Sequence, residues 1–529
     1  MDEFDVLVIG AGSAGCAVAG RLAEDPALSV CLFEAGGTNT SLLVTTPGLL
    51  AINLRKTPSN WAYETVPQRG LLGRRGYQPR GRGLGGSSAI NAMLYLRGNP
   101  YDYDNWAALG CTGWGWADVL PWFRRSEGNT RGADPYHGAE GPLAVTDQLW
   151  PNPASKAWIE AAAGLQLGRN EDFNGMAQDG FGLHQVTQKD GERWSTARAF
   201  LAPRANLAVR KGAAVTRIVF EQGRATGVAL RVPGGGERIV RARGGVVLSG
   251  GTFASPQLLM LSGVGPAEHL RSQGIDVLHD IPEVGANLQD HVDFVANWTT
   301  RSHEPIGFAP AGLWRLARAF IEHRRRRTGI LTSPMAEAGG FWRSEPDLPA
   351  PDLQFHFVPA VLEDHGRKLT MDWGISCHAC VLRPDSRGTL RLASRDPAAA
   401  PAIDPNFFAN PADLAVMRKG VRLMHRIAAS PPLAELGLTD RHPVDLANDD
   451  ALDHLIRSRA DTIYHPVGTC RMGGDAHSVV DPQLRLRGME RLWVADASVM
   501  PQIVSGNTNA PTIMIGERAA AFVAESLRT

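Results

Sequence analysis

Four stretches of the chain carry no charged side chain: Val6–Gly20, Gly83–Leu96, Gly244–Ala267 and Ala497–Gly516. The first is entered by the apolar run Phe4–Ile9, of the kind that forms a fully buried parallel strand. Gly10, Gly12 and Gly15 follow as GxGxxG, where a helix from about Ser13 to Glu24 should open. A second strand, Ser29–Phe33, ends in Glu34. Residues 206–230 form two β-rich runs about a glycine-containing turn and predict a hairpin. The third stretch gives another buried strand, a glycine pair and a helix starting near Ser255 and Pro256, since proline is tolerated in a first turn. The fourth follows a strand at 491–498 with Asp496 near its end. It leads into a C-terminal helix with Pro511 near the first position and Asn509 close to the cap.

Between 293 and 461 charge rises and polarity alternates in runs such as 353–361, with helical stretches near 411–429 and 449–459. This pattern predicts an antiparallel sheet with helices. The expected fold class is α/β. A discontinuous Rossmann-like nucleotide-binding domain (1–147, 195–292 and 462–529) is joined to an α+β substrate domain (148–194 and 293–461) containing the antiparallel sheet. A chain of 529 residues with 43% hydrophobic content can supply both cores.

Glycine and serine interrupt all four stretches, and proline, asparagine or glutamine interrupt three of them, so none reads as a transmembrane helix. Small, uncharged and rich in backbone donors, they suit walls around a large buried cofactor. Lysine plus arginine equals aspartate plus glutamate at 54 each, which leaves no basic field for nucleic acid. Met1, Asp2 and Glu3 lead straight into the first strand without a basic leader, and cytoplasmic residence is the expectation. Residues Leu313–Arg327 combine an apolar pattern with a terminal HRRRR. Such a helix either rests on an anionic surface, here peripherally on the inner membrane, or is a solvated face, the commoner case. Cys377 and Cys380 form one CxxC in a strand-like setting, which reads as two buried thiols, and no metal site is expected.

The glycine spacing has a mechanical reason. Gly10 permits the tight turn, Gly12 lets a pyrophosphate approach the backbone, and Gly15 lets the helix lie close on the strand. Glu34, about 20 residues on, is placed to grip ribose hydroxyls. In 79–98, glycines at 81, 83, 85 and 86 precede Ser87, Ser88 and an apolar, helical-looking segment, a second candidate site for an anionic group. Trp61 either covers a cofactor ring or fills a core gap, and the bare sequence favours the gap.

GRGLGGSSAINAMLYLRG, GTFASPQLLMLSGVG, HPVGTCRMG and SGNTNAPTIM resemble, over nearly the full chain, the signatures of the glucose-methanol-choline flavoprotein oxidoreductases. NWAYETVPQ, LQFHF, DHGRK and LRPDSRGTL are most similar to the bacterial alcohol dehydrogenases of that family acting on primary aliphatic alcohols. The resemblance implies FAD, with Ser13 and Ala14 at the pyrophosphate, Glu34 and Ala35 at the adenosine ribose and Val215 at the adenine. It places Gly83, Gly86, Asn91, Ala92, Met93 and Leu94 along the isoalloxazine, Asp496 and Ala497 at the ribityl or phosphate, and Trp61 beside the cofactor. Some members tether FAD through a histidine where this chain has Ile90, so non-covalent FAD is expected.

By the same resemblance His465 is the base and Asn509 the second catalytic residue, donating to the substrate oxygen. Pro511 and Thr512 open a helix whose N–H groups stabilise charge on the reduced flavin. A histidine suits the base because its pKa lies near working pH. Tyr464 shapes the substrate pocket. The expected reaction is oxidation of a primary alcohol to an aldehyde, with electrons passed to a quinone-type acceptor. Alternatives are an oxidase using O2 and, on the same fold, a lyase that uses no redox chemistry. The substrate, whether aliphatic, benzylic, furanic or choline, and the oligomeric state are not readable from the sequence.

Overall fold

A computed structural model describes residues 2–231, 236–368 and 370–528. Its first sheet is parallel at its centre because buried apolar strands are joined through helices. Glu3–Ile9 lies between Val30–Glu34 and Glu237–Leu248, with Val8 opposite both Leu32 and Val247. The helix Ser13–Leu22 packs against the C-terminal helix Asn509–Arg528, which brings the two ends of the chain together.

Residues 206–230 are not one hairpin. Leu207–Lys211 pairs in parallel with Val30–Glu34 as an edge strand, while Val215–Glu221 and Arg224–Arg231 form the hairpin. Its turn is made by Gln222 and Gly223, both with positive φ, as a two-residue hairpin loop requires. The strand Glu237–Leu248 does double service. Its first part pairs with this hairpin and its last part with Leu492–Val494.

The helix expected near Ser255 begins earlier, at Gly251, and carries Pro256 in its interior. Proline lacks the N–H that the carbonyl four residues before it would accept. That carbonyl belongs to Thr252, and it accepts a 2.6 Å hydrogen bond from Thr469 Oγ1 instead. The defect thus ties this helix to the segment that follows His465.

The second sheet is antiparallel, with Val292–Thr300, Trp373–Val381, Leu353–Val358, Ala338–Trp342 and Gly180–Leu183 in order, and short strands on the outer side. Helices Pro153–Gly164 and Pro411–Ala428 cover it. Cys377 and Cys380, three apart on one strand, face opposite sides of the sheet and belong to separate apolar clusters. Among the described residues no helix is long and apolar enough to cross a membrane.

Candidate active site

A cavity of about 1090 Å³ runs from the C-terminal ends of the parallel strands to the inner strands of the second sheet. Gly10, Gly12, Ser13, Ala14, Glu34, Ala35 and Val215 line one end. A Cβ on Gly12 would meet only open space, so the backbone there lies bare to the cavity. The helix behind it starts with neither a side-chain cap nor an acidic residue in its first turn, leaving its amides free for an anion. The buried hydroxyl of Ser249, on the same wall, has no partner among the described residues. These donors fit the pyrophosphate of a dinucleotide.

Gly15, Gly83 and Pro511 stand behind the wall. A Cβ on Gly15 would come within 1.9 Å of the Gly10 carbonyl oxygen, so only glycine allows the crossing of helix and strand. Gly83 donates its N–H to Glu34 Oε1 at 2.9 Å, and Gly36 does so at 2.8 Å; Ala11 donates to Oε2 at 3.1 Å. Three amides thus hold the Glu34 carboxylate at the cavity edge, with acceptor capacity left on Oε2. Pro511 is buried in the first turn of the C-terminal helix. Asp496 braces the middle of the site, accepting from Gly251 N, Ser255 Oγ and Ser498 N. Burial raises its carboxyl pKa while these bonds lower it.

Gly86, Asn91, Ala92, Met93 and Leu94 line the next section. Met93 has φ +63°, a strained value for a side chain of its size, and the turn is held by Asn91 Oδ1, which accepts from Met93 N and from Arg193 Nη1 at 2.8 Å. Arg193 was not predicted as a site residue. It is buried, bonds carbonyls and an amide oxygen, and has its pKa lowered to about 9 by burial. Trp61 is no core filler: it is 40% exposed, stacks on Tyr63 and lies at the cavity wall under the Arg82 guanidinium.

At the far end stands His465, 6% exposed. Its backbone N–H donates to Asp290 at 2.9 Å, and the preceding Tyr464 takes φ +74°, its carbonyl gripped by Arg80 at 2.7 Å. The Tyr464 hydroxyl bonds His365 Nδ1, itself tied through Nε2 to Asp461. Tyr464 therefore has its polar tip engaged by His365. His465 Nδ1 lies 3.0 Å from His291 Nδ1, and His465 Nε2 lies 3.1 Å from Asn507 Nδ2. Burial holds the His465 imidazole well below its ordinary pKa, helped by His291, His356 and Arg80, so it is neutral at pH 7.

Asn509 and His465 both line the cavity, but among the described residues no hydrogen bond joins them. Asn509 is the first residue of the C-terminal helix, and its Oδ1 accepts from Ser13 Oγ at 2.7 Å, at the nucleotide end. Asn507, in the preceding loop, is the carboxamide beside the imidazole. Ala497 and Thr512 both line the cavity, and Thr512 Oγ1 donates to the Thr508 carbonyl.

The sequence profile described as GMC oxidoreductase matches residues 4–293 in its N-terminal form and 384–516 in its C-terminal form. The chain belongs to the GMC oxidoreductase family. It is 45% identical to the alcohol dehydrogenase [acceptor] of Pseudomonas putida, over 98% of this chain and 95% of that one. It is 42% identical to the mitochondrial choline dehydrogenase of Homo sapiens, over 99% and 90%. Among solved structures, pyridoxine 4-oxidase from Mesorbium loti superposes with TM-score 0.88 at 30% identity, covering 98% of each chain. A formate oxidase from Aspergillus oryzae, studied for FAD modification, gives 0.92 at 27%, over 99% and 98%. As a GMC oxidoreductase the chain is an enzyme acting on CH–OH donors, and the family implies FAD for the cavity that the glycine turn opens.

Proposed function

We propose that this GMC oxidoreductase oxidises an apolar primary alcohol to its aldehyde with non-covalent FAD. One arrangement carries the reading: a neutral imidazole and a carboxamide 3.1 Å apart at the wall of the cavity. FAD, when bound, supplies the hydride acceptor. His465 takes the hydroxyl proton at Nε2, and Asn507 Nδ2 holds the substrate oxygen beside it, a near-attack arrangement for the carbon. Asn507, not Asn509, takes the second catalytic role in this reading. Ile90 offers no nucleophile for a covalent tether, so acid precipitation should leave the yellow colour in the supernatant.

Leu50, Leu54, Met335, Ala336, Val358 and Leu362 line the cavity and belong to one apolar cluster with Tyr464. Such a wall favours an alkyl or aryl chain over the cationic head of choline. A quinone-type acceptor is supported by the helix Pro310–Arg326, whose outer face exposes Leu313, Trp314, Phe320 and Ile321 beside Arg324 and Arg325. That face fits peripheral contact with an anionic membrane. The deciding experiment is an anaerobic panel of alkanols, benzylic and furanic alcohols and choline, followed by flavin absorbance. Bleaching by hexanol but not by choline is expected; bleaching by choline alone overturns the substrate reading, and no bleaching by any alcohol favours a lyase. Rapid peroxide formation on mixing the reduced enzyme with O2 would make it an oxidase.

A further inference from the structure

His291 is fully buried and is not part of the cavity wall, yet it bonds His465, which is. Its Nε2 lies 3.0 Å from the Leu382 carbonyl oxygen. A carbonyl only accepts, so Nε2 carries the hydrogen, and a neutral imidazole then has a bare Nδ1. That bare nitrogen faces His465 Nδ1 at 3.0 Å, so the hydrogen between them belongs to His465. The two rings are nearly perpendicular, at 89°, with centroids 5.2 Å apart. With Nδ1 protonated, His465 Nε2 is left bare.

The same answer comes from the opposite side. Gln354 Nε2 and His356 Nε2 lie 3.1 and 3.4 Å from Asn507 Oδ1. Those donors fix the carboxamide with its oxygen toward the second sheet and its NH2 toward His465 Nε2. A donor facing Nε2 needs a bare nitrogen there. The two lines of hydrogen bonds meet on one tautomer.

We infer that His291 is a positioning residue that holds His465 in the Nδ1–H tautomer, through a relay ending on the Leu382 carbonyl, and so keeps Nε2 unprotonated, ready to take the substrate proton once the substrate hydroxyl displaces the Asn507 N–H. Burial supports this by pushing the His291 imidazole down to about 3, so that it stays an acceptor toward His465. The relay holds no carboxylate. When His465 gains a proton at Nε2, its Nδ1–H bond to His291 becomes charge-assisted, but the acceptor is a neutral ring. The cation is therefore oriented more than it is stabilised, which favours prompt loss of the proton after each turnover.

The inference rests on His465 being the proton acceptor, and the test separates the two. In holoenzyme labelled with ¹⁵N-histidine, the imidazole shifts report which nitrogen of His465 is protonated, without any turnover. The expected result is the Nδ1–H form; an Nε2–H form overturns the inference and leaves the role of His465 to the His465→Ala variant. In His291→Leu the acceptor is gone, and flavin reduction by alcohol should fall about 10- to 10³-fold with FAD content retained. His291→Asn, whose Oδ1 can stand in for Nδ1, should recover reduction to within about tenfold of wild type. Unchanged reduction in His291→Leu, or no recovery in a folded, FAD-loaded His291→Asn, overturns it as well. Should His291→Leu fail to fold, the wild-type spectrum and the asparagine variant still decide.

Discussion

The two ends of the cavity are built by opposite means. At the nucleotide end the wall is backbone: Gly10, Gly12, the uncapped start of Ser13–Leu22 and the amides around Glu34 come from the first strand–turn–helix, the end of the second strand and one glycine loop. At the chemical end it is side chains, His356, His465 and Asn507 from three separate segments, backed by the buried His291 and Gln354. A backbone site tolerates almost any local sequence that can follow its path, but fails if one glycine gains an atom. A side-chain site tolerates an added atom here and there, but fails if a register or a tautomer changes.

The sharpest break in that contrast is Gly15→Ala. Its Cβ would meet the Gly10 carbonyl at 1.9 Å, with backbone on both sides, so the variant should lose essentially all FAD. The ratio of flavin to protein absorbance checks it, and a yellow Gly15→Ala protein would remove the rigid-backbone half of the comparison. Next in size is His465→Ala, expected to keep FAD and to lose about 10²- to 10⁴-fold in the rate of flavin reduction, read by anaerobic stopped flow.

Asn507→Ala against Asn509→Ala sharpens the boundary between the two ends. The first should slow flavin reduction by roughly 10- to 10²-fold with FAD retained, the second should weaken FAD retention with little effect on reduction of the loaded enzyme. The reverse outcome would return the catalytic role to Asn509. The smallest effect is on stability. Burial pushes His184 and His291 down to about 3. In the unfolded chain they titrate near 6.5. The unfolded state therefore binds more protons between these values, and stability present above about pH 6.5 is lost as pH falls. By pH 5 the loss is roughly 2 kcal/mol per histidine, seen as a lower Tm of the holoenzyme at pH 5 than at pH 7.

Pro256 shows how a local rule was overruled. The expected first-turn position would have left its missing N–H harmless, but the helix starts at Gly251, four residues before Ser255, and the freed Thr252 carbonyl is taken by Thr469. The leftover bond came from a residue more than two hundred positions away, which no local pattern reports. Asn507 and Asn509 show the same limit at shorter range. Both belong to SGNTNAPT, and two residues along a chain about to enter a helix turn the side chains to different sides.

The sequence by itself determined the parallel strand–turn–helix, its glycines, Glu34 at the second strand's end and the antiparallel character of the middle of the chain. These are short-range matters: a turn needs certain φ values, a buried strand needs an apolar run, and both are written in adjacent residues. Only the tertiary structure decided that His291, His356 and Asn507 converge around His465, that Arg193 holds the Asn91–Met93 turn and that Asn509 faces Ser13. The physical reason is that a hydrogen bond between side chains depends on strand register and helix phase to within a fraction of an ångström. Those are fixed by the packing of the whole molecule, not by any one segment of it.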